Sequence, residues 1–454
     1  MDANTASSDT KPLAPGPPPR RNGLRAIPFY LRFAKDPIGF VGQRFEQYGD
    51  LYCAPADGVP LFVLRHPDHL AQVLLQGQGR FGKGHSALGR IGEVLGNGLL
   101  NSDGEEWKRQ RRLVQPAFTR RKLQDYATVM SALTDRLAAR WQPGELRDIG
   151  KEMVELTLHV VTRTLFDHDG SGEADDVAGA MRELNAYMAR PRIAPAWLPT
   201  PGRVRLRRAI ERLDAVIDRF VAARTPGEPR GDLLQSLVDA VDVEGRGDRL
   251  GRRELRDQLV TLYLAGHETT SHALTWTFAL LSQNPEVRAR LHEELDRVLG
   301  GRPPGWDDLE QLVYTEQVLL EAMRLYPPAF VIARKADVDT EIGGYAVPAG
   351  SEIVMWIIHT HRDPRWFPEP LAFQPERHAP AVVAARPKLA YLPFGAGPRA
   401  CIGSQFSLLE SRLVLATIAQ RFVLDIVPGH ALVMQPGVTL MPKGGMPMRI
   451  SARS

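Results

Sequence analysis

The chain has 454 residues, of which 43% are hydrophobic and 24% are charged, as in an ordinary globular protein. This composition excludes a disordered, collagenous or coiled-coil chain. The formal net charge of +4 is too small to argue for nucleic-acid binding by itself. The only cysteines, Cys53 and Cys401, exclude a disulfide framework and fit a reducing compartment, so we expect a cytoplasmic protein.

Residues 1–24 are rich in Pro and Ser and lack the apolar segment of a signal peptide, which predicts a disordered lead-in. No stretch of the sequence approaches 18 consecutive apolar residues, so we expect no membrane anchor. No flexible linker divides residues 25–454. We therefore expect one domain over this range, and a monomer.

Hydrophobic periodicity and the positions of Pro and Gly predict the elements. In chain order they are a strand at 61–64, a helix from Pro67, mostly helical residues at 104–299, a helix at 306–326, strands with tight turns at 329–358, a long loop at 362–398, a helix at 403–421 and a strand-like tail. The longest helix runs from Leu255 to Ser282 and is apolar on most faces, which predicts burial. The predicted fold class is mainly α with small β-sheets, that is α+β.

Cys401 stands at the start of a predicted helix, directly after the Gly-rich loop 394–400. A helix N-terminus and the nearby Arg399 both lower the pKa of a thiol, so the loop is typical of a thiolate that acts as a nucleophile or as an axial iron ligand. A buried structural cysteine is the alternative. A dinucleotide-binding turn in the same segment is disfavoured, because Pro398 lies inside it and too few residues follow for a doubly wound sheet.

Small and polar residues stand at the centre of the long predicted helix, from Ala265 and Gly266 to Glu268 and Thr269. The histidines around them do not make a zinc motif, because a spacing of five residues leaves the second ring roughly 140° from the first around the helix. Glycine and glutamate are both costly inside a buried helix. A pocket for a ligand and water, with a proton path through Glu268 and Thr269, explains the group, and a bent helix is the alternative.

Two further pairs of residues each give only weak evidence of function when taken alone. Glu321 and Arg324 lie three residues apart on one helix face, where they can form an ion pair that Arg377 extends to a triad; the alternative is a surface salt bridge. Trp107 and Arg111 are helix neighbours that can hold a carboxylate between an indole N–H and a guanidinium; the alternative is a solvated basic helix.

Together the four motifs resemble the cytochrome P-450 (haem-thiolate monooxygenase) superfamily, of the bacterial type without a membrane anchor, over about residues 25–454. The family's haem loop, Phe-x-x-Gly-x-Arg-x-Cys-x-Gly, is matched by Phe394, Gly397, Arg399, Cys401 and Gly403. Its oxygen-activating motif is matched by Ala265, Gly266, Glu268 and Thr269, its Glu-x-x-Arg by Glu321 and Arg324, and its Pro-Glu-Arg by residues 375–377. His378 follows where Phe is commoner in the family, and we expect no functional loss from this difference.

The resemblance implies the cytochrome P-450 fold, with a long central helix over haem b (iron protoporphyrin IX) and the cysteine loop on the proximal side. Cys401 is then the thiolate ligand of the iron, and its electron donation favours O–O cleavage. The other residues implied to bind the cofactor are Trp107, Arg111, Arg334 and Arg399 at the propionates, and Ala265, Gly266, Phe394, Gly397 and Gly403 close to the ring. Glu268 and Thr269 are implied to be catalytic, as the proton supply for dioxygen activation. Glu321, Arg324 and Arg377 are implied to be structural.

Positions around these motifs predict a substrate pocket lined by Leu262, Ala329, Phe330, Val331 and Thr439, with further contributions from 81–95, 188–198 and 438–440. These residues are mostly apolar and offer no carboxylate clamp. We therefore expect insertion of one atom of O2 into an apolar molecule, by hydroxylation or epoxidation. A fatty acid, a terpenoid, a steroid and a polyketide-like molecule all remain open as substrates.

No flavin or iron–sulfur module is recognisable in the sequence, so electrons are expected from a separate ferredoxin or flavodoxin with its reductase. Basic residues expected near the proximal face would steer an acidic partner; they are Lys108, Arg109, Arg112, Arg120, Arg121, Lys122, Arg386 and Lys388. A peroxide-driven peroxygenase is the nearest alternative, although such relatives tend to lose the acid–alcohol pair. A haem-binding protein without turnover and a nucleotide-binding dehydrogenase are the others.

Overall fold

The structure, a computed structural model, describes residues 11–18, 27–56, 59–77, 79–83, 92–168, 174–188, 200–225, 227–228, 230–240 and 250–453. Helices dominate the centre of the chain, as predicted. In chain order they are α1 (Ile27–Lys35), α2 (Pro37–Tyr48), α3 (Pro67–Leu74), α4 (Gly104–Val114), α5 (Arg120–Ala138), α6 (Ile149–Leu165), α7 (Ala174–Met188), α8 (Pro201–Ala222), α9 (Leu233–Asp239), α10 (Arg252–Gln283), α11 (Pro285–Leu299), α12 (Val313–Leu325), α13 (Ile357–His361), α14 (Pro380–Ala384) and α15 (Ser404–Ala419).

Short strands gather toward the two ends of the chain. They are β1 (Leu51–Ala56), β2 (Val59–Leu64), β3 (Phe81–Gly82), β4 (Leu146–Asp148), β5 (Ile332–Ala336), β6 (Thr340–Ile342), β7 (Tyr345–Val347), β8 (Glu352–Met355), β9 (Phe422–Ile426), β10 (Met434–Pro436), β11 (Leu440–Pro442) and β12 (Pro447–Ala452). One sheet has the order β1-β2-β8-β5-β3, another β4-β12-β9, and β6-β7 and β10-β11 are hairpins. Among the strand pairs of the described residues, only β2 and β8 run parallel. The predicted α+β class is confirmed.

The central helix α10 is buried along most of its length, as its sequence predicts. It packs most extensively against α6 and also contacts α8, α12 and α15. A Cβ at Gly266 would lie 3.0 Å from Val161 of α6, so a small residue is needed where the two helices approach. The helix ends at Asn284, and Pro285 begins α11, which agrees with the predicted stop.

The predicted helix at 306–326 divides into a 3₁₀ turn at Trp306–Asp308 and helix α12 from Val313. The buried carboxylate of Glu294, on α11, accepts hydrogen bonds from the backbone N–H groups of Tyr314 and Thr315 at 2.7 and 2.8 Å. It thereby satisfies donors that a helix start leaves without partners. This long-range cap fixes where α12 begins, and no local pattern predicts it.

Part of the predicted disordered lead-in is ordered. Residues 11–18 run along the first sheet: the N–H of Cys53 donates to Pro15 O at 2.8 Å, and that of Ala346 donates to Pro12 O at 3.1 Å. Ala14 is buried in the cluster beneath this sheet. The prediction of disorder was therefore wrong for residues 11–18, because two backbone bonds and apolar burial hold a segment whose composition gives no sign of either.

The described helices give no candidate for a membrane span, since none is both long enough and apolar enough.

Candidate active site

The loop before α15 brings the predicted cysteine motif into one compact turn. Cys401 N donates to Phe394 O at 2.9 Å, and Ala400 N donates to Gly397 O at 3.0 Å. Gly397 has φ +73°, and a Cβ there would lie 2.0 Å from Leu74 O, so only glycine fits this position. A Cβ at Gly403 would meet only Phe118, at 3.8 Å. The loop therefore presents Cys401 at the start of α15, as predicted.

The thiol of Cys401 is accessible, yet it lies deep within the fold. This burial raises its pKa, while the Gly403 N–H and the Arg111 guanidinium lower it. The net shift is upward, opposite to the sequence prediction, because removal from bulk water outweighs the two favourable groups. Arg111 acts here in place of the predicted Arg399. A metal ion bound to the sulfur would favour the thiolate form in this site.

The centre of α10 exposes one side chain amid buried neighbours. Ala265 is exposed, and Thr269, one turn further on, is half-buried with its hydroxyl donating to Ala265 O at 2.8 Å. The next residue, Thr270, hydrogen-bonds Ser407 of α15 at 3.0 Å, so this part of α10 lies beside the helix that follows Cys401. The accessible faces of Ala265 and Cys401 thus belong to neighbouring elements, as a ligand held between them requires.

Glu268 follows Ala265 by three residues, less than one turn of α10. Its carboxylate is buried and accepts a hydrogen bond from the side-chain amide of Asn185, on α7, at 2.9 Å. The amide oxygen of Asn185 accepts in turn from Val438 N at 2.9 Å. His272 lies 3.9 Å from the same carboxylate oxygen. Glu268 is therefore the centre of a buried polar group that joins α7, α10 and the turn between β10 and β11.

The predicted propionate residues meet around Trp107 of α4. Arg399 lies 4.5 Å and Arg111 5.8 Å from the indole centroid. Arg111 also donates to Ala400 O at 3.1 Å, and Arg399 to Ser102 O at 2.9 Å and to the Asp103 carboxylate. The Trp107–Arg111 pair is thus tied to the cysteine loop, and it is not part of a solvated basic helix.

Arg334 and Lys83 add two more cations to this group. Arg334 is 6% exposed and donates only to Ala333 O among the described residues. Burial and the charge of Arg399 lower its pKa to about 10. Burial and the charges of Arg334 and Arg399 lower the pKa of Lys83 to about 7. Asp103 is the carboxylate that faces all three cations, so the cluster carries surplus positive charge.

A group with two carboxylates fits this cluster. Three crowded cations disfavour their own charged forms, and an anion placed among them reverses that effect. Together with an accessible deep thiol and an exposed Ala265 on the opposing helix, the residues fit a haem: sulfur for the iron, and Lys83, Arg334 and Arg399 for the propionates. Lys83 was not singled out by sequence, because a lone lysine outside any motif carries no local signal.

Replacing Lys83 with Met is expected to speed haem loss roughly tenfold, since a charge-assisted hydrogen bond to a propionate contributes about 1.5 kcal/mol or more. The measurement is the rate of haem transfer to excess apomyoglobin. Lys151→Met, at an exposed lysine on α6, is the matched control. Equal transfer rates for both variants would contradict the placement of Lys83 in the cofactor site.

The Glu-x-x-Arg pair is completely buried. Arg324 donates through Nε to one oxygen of Glu321 and through Nη2 to the other, both at 2.8 Å, so the pair is bidentate. Arg324 Nη1 also donates to the carbonyls of His361 and Pro370. The alternative of a surface salt bridge is excluded by this burial. Arg377 lies 3.4 Å from Glu321, as an ion pair without a hydrogen bond.

The predicted pocket residues divide into two groups. Ala329 is exposed between buried neighbours, and Val331 is half-buried. Phe330 is 9% exposed and packs edge-on against Trp356 in a core cluster, and Leu262 and Thr439 are likewise buried. Residues 84–91 and 189–199, which make up much of the two predicted pocket loops, lie outside the described residues.

Asn185 was missed by the sequence analysis. Its helix carries no motif, and the residue acquires its place only because the fold brings α7 over Glu268. In the structure Gly437 leaves room for this side chain, since a Cβ there would lie 2.6 Å from the Asn185 amide oxygen. Gly266, predicted to lie near the cofactor, also lies at the contact with α6, where a Cβ would be 3.0 Å from Val161.

Comparison with known proteins agrees with this site. The family model of cytochrome P-450 matches residues 15–447. Cyclooctatin synthase of Streptomyces melanosporofaciens is 36% identical over 94% of this chain and 93% of its own length. Cyclooctat-9-en-7-ol 5-monooxygenase of the same species is 38% identical over 87% of each chain. Pentalenene oxygenase of Streptomyces avermitilis is 35% identical over 92% of this chain and 93% of its own. The chain belongs to the cytochrome P-450 family and is a monooxygenase of that family.

Proposed function

We propose that this monooxygenase hydroxylates or epoxidises a cyclic terpenoid. The observation that carries the proposal is the pair of relatives of almost the same length that are named for cyclooctat-9-en-7-ol and pentalenene. The described residues of the predicted pocket, Leu262, Ala329 and Val331, offer apolar contacts, which suit such a molecule.

The reaction consumes the substrate, O2, two electrons and two protons, and it yields the oxygenated product and water. Haem b, bound through Cys401 and the cluster of Lys83, Arg334 and Arg399, supplies the redox chemistry that activates O2. The protein's own task is to hold the substrate against the accessible face of α10 and to deliver protons there.

Thr269 and Glu268 are the residues we assign to proton delivery. The Thr269 hydroxyl is bound to Ala265 O, next to the exposed position on α10, and its oxygen can still accept a proton donor such as water. Asn185 donates to Oε1 of Glu268, and His272 lies near the same oxygen. No described residue donates to Oε2. Oε2 is therefore the atom that exchanges protons with water on the way to Thr269.

Replacing Thr269 with Ala is expected to lower product formation roughly a hundredfold, at the low end of what a positioned proton donor contributes. NADH and O2 consumption should continue, with hydrogen peroxide as the product of the reducing equivalents. Thr269→Ser keeps the hydroxyl and should stay close to the parent protein. The ratio of product to peroxide measures the effect. An unchanged ratio in Thr269→Ala would show that protons arrive by another route.

Electrons come, in this proposal, from an acidic ferredoxin or flavodoxin that docks on the predicted basic surface. Five of its eight residues are exposed: Lys108, Arg112, Arg120, Arg121 and Lys388. The other three are partly buried. Arg109 pairs with Glu254, Lys122 donates to Gly231 O, and Arg386 lies 4.7 Å over the ring of Phe367. The exposed five therefore form the steering surface.

Reversing two of these charges, Arg121→Glu with Lys388→Glu, is expected to slow reduction by an acidic ferredoxin roughly tenfold at low salt, because steering of charged partners depends on such patches. High salt should remove most of the difference. Arg207→Glu with Arg208→Glu, at two exposed arginines on α8, makes the same change in net charge and is the control. Stopped-flow reduction under carbon monoxide gives the rate. Equal slowing by the control variant would place the docking surface elsewhere.

The substrate class is tested by turnover of a panel of cyclic terpenes, fatty acids and steroids with a surrogate ferredoxin system and ¹⁸O-labelled dioxygen. Incorporation of the label into a terpene, and not into the other classes, is the expected result. Label-free product formed only with added peroxide would favour the peroxygenase alternative. Labelled fatty acid or steroid would overturn the terpenoid assignment.

A further inference from the structure

His378 occupies the position where the family more often has Phe, and the structure gives it a polar contact that Phe cannot make. It ends the 3₁₀ turn Pro375–His378 and is 7% exposed. Its Nε2 lies 3.0 Å from Oε2 of Glu321. A carboxylate only accepts hydrogen bonds, so Nε2 carries the proton and donates it.

Glu321 is surrounded by donors on both oxygens. Oε1 accepts from Arg324 Nη2 at 2.8 Å and from Gln374 N at 3.0 Å. Oε2 accepts from Arg324 Nε at 2.8 Å and from His378. A carboxylate has about four acceptor sites, and these four bonds fill them. Burial raises the pKa of Glu321, and the bonds from His378 and Arg324 lower it below its usual value.

Arg377, which the resemblance makes the third member of this network, does not hydrogen-bond Glu321. Its Nε lies 3.4 Å from Oε1 of Glu321 as an ion pair and has no hydrogen-bond partner among the described residues. Its Nη2 donates instead to the carbonyls of Pro368 and Glu369. The residue that hydrogen-bonds Glu321 is therefore His378 and not Arg377.

The network reaches the cysteine loop through His361. Arg324 Nη1 donates to the His361 carbonyl at 2.9 Å, and the buried ring of His361 accepts from Leu392 N at 2.9 Å. Leu392 stands two residues before Phe394, whose carbonyl accepts from Cys401 N. Glu321 is therefore connected to the loop that carries the thiol by hydrogen bonds through Arg324 and His361 and by the backbone from Leu392 to Phe394.

A second path runs through Tyr391. The ring of His378 meets the Tyr391 ring edge-on at 4.8 Å, and the His361 ring lies 5.0 Å from it on a tilt. The Tyr391 hydroxyl donates to Leu320 O at 2.8 Å. Tyr391 is thus held between two histidines, directly before Leu392 at the start of the loop.

We propose that His378 is a positioning residue, whose Nε2–H completes the donor shell of Glu321 and thereby holds the Cys401 loop in its ligating shape. The inference rests on the proposed role of Cys401 as the haem ligand. His378 touches neither haem nor substrate and acts through Glu321. In a Phe variant the contact with Tyr391 survives, but a buried carboxylate oxygen loses a donor. In a Gln variant the ring is lost, but an amide N–H of similar reach replaces the donor.

The test compares His378→Phe with His378→Gln in the haem-loaded protein. The reduced carbon monoxide complex reports thiolate ligation by its red-shifted Soret band, and the rate at which this band is lost in mild urea is measured. We expect the rate to rise about tenfold in His378→Phe, since an unfilled buried acceptor weakens the shell, and to change less than about twofold in His378→Gln. Arg377→Lys, which keeps a donor for the carbonyls, should also stay within about twofold.

The opposite order would overturn the proposal: a stable His378→Phe and an unstable His378→Gln would show that His378 acts by shape alone. If the band is lost faster in Arg377→Lys than in His378→Phe, Arg377 and not His378 is the third member of the network. Accumulation of folded His378→Gln but not of His378→Phe supports the proposal, and failure of both contradicts it. A parent protein without the red-shifted band would refute the haem-ligand role itself, which separates the two failures.

Discussion

Cys401→Ala is expected to abolish monooxygenase turnover. The loop at 394–403 presents one thiol, that of Cys401, which is accessible. The other cysteine of the sequence, Cys53, is half-buried in strand β1. Without the thiolate, the electron donation that favours O–O cleavage is lost. The measurement is incorporation of labelled oxygen into substrate, which should fall below detection.

Cys53→Ala is the matched control for this loss, because it removes the other cysteine without touching the loop. Burial raises the pKa of the Cys53 thiol, as it does that of Cys401, so the position of Cys53 in strand β1, outside the loop, is what makes it a control. Its backbone N–H, which binds Pro15, is retained in alanine. Turnover within about twofold of the parent is expected, as for a small apolar substitution. Full activity in Cys401→Ala would refute the ligand assignment.

Arg324→Ala is expected to lower the stability of the protein so far that little of it folds. Removing one partner of a buried ion pair leaves an uncompensated charge and costs about 3–5 kcal/mol, a large fraction of the 5–15 kcal/mol that stabilises a typical domain. Glu321 would keep its charge in a site with no exposure, and the carbonyls of His361, Pro370 and Ala372 would lose a donor. The yield of soluble haem-loaded protein and its urea midpoint report the effect.

Arg290→Ala provides the comparison, since it breaks an ion pair of the same residue types, Arg290 with Glu376, that is about half exposed. Exposed pairs contribute about 0–1 kcal/mol, so its urea midpoint should barely move. If Arg324→Ala and Arg290→Ala shift the midpoint equally, the buried network does not hold the cysteine loop as described.

The features that could be predicted from sequence are those in which particular residues stand in a fixed local order. The turn around Gly397 and Cys401, the small residues at Ala265 and the bidentate pair of Glu321 and Arg324 all follow from spacing on one element. The long helix α10 was predicted to within a few residues for the same reason, because its apolar faces and its terminal Pro285 are local signals.

Contacts between distant segments could not be predicted in this way. Asn185 meets Glu268 only because α7 crosses α10, and Glu294 caps α12 from the preceding helix. The thiol pKa was predicted in the wrong direction because local charges were counted and burial was not. The hydrogen bond of His378 also could not be predicted, because it depends on where Glu321 lies in space and not on the neighbours of His378 in the chain.

The central claim is that Cys401 ligates a haem iron as a thiolate. The most direct measurement is the absorption spectrum of the purified parent protein, reduced with dithionite and exposed to carbon monoxide. A strongly red-shifted Soret band that is absent from Cys401→Ala is the predicted result. A protein that takes up no haem when expressed with ample supply, or a carbon monoxide complex without the red shift, would contradict the account.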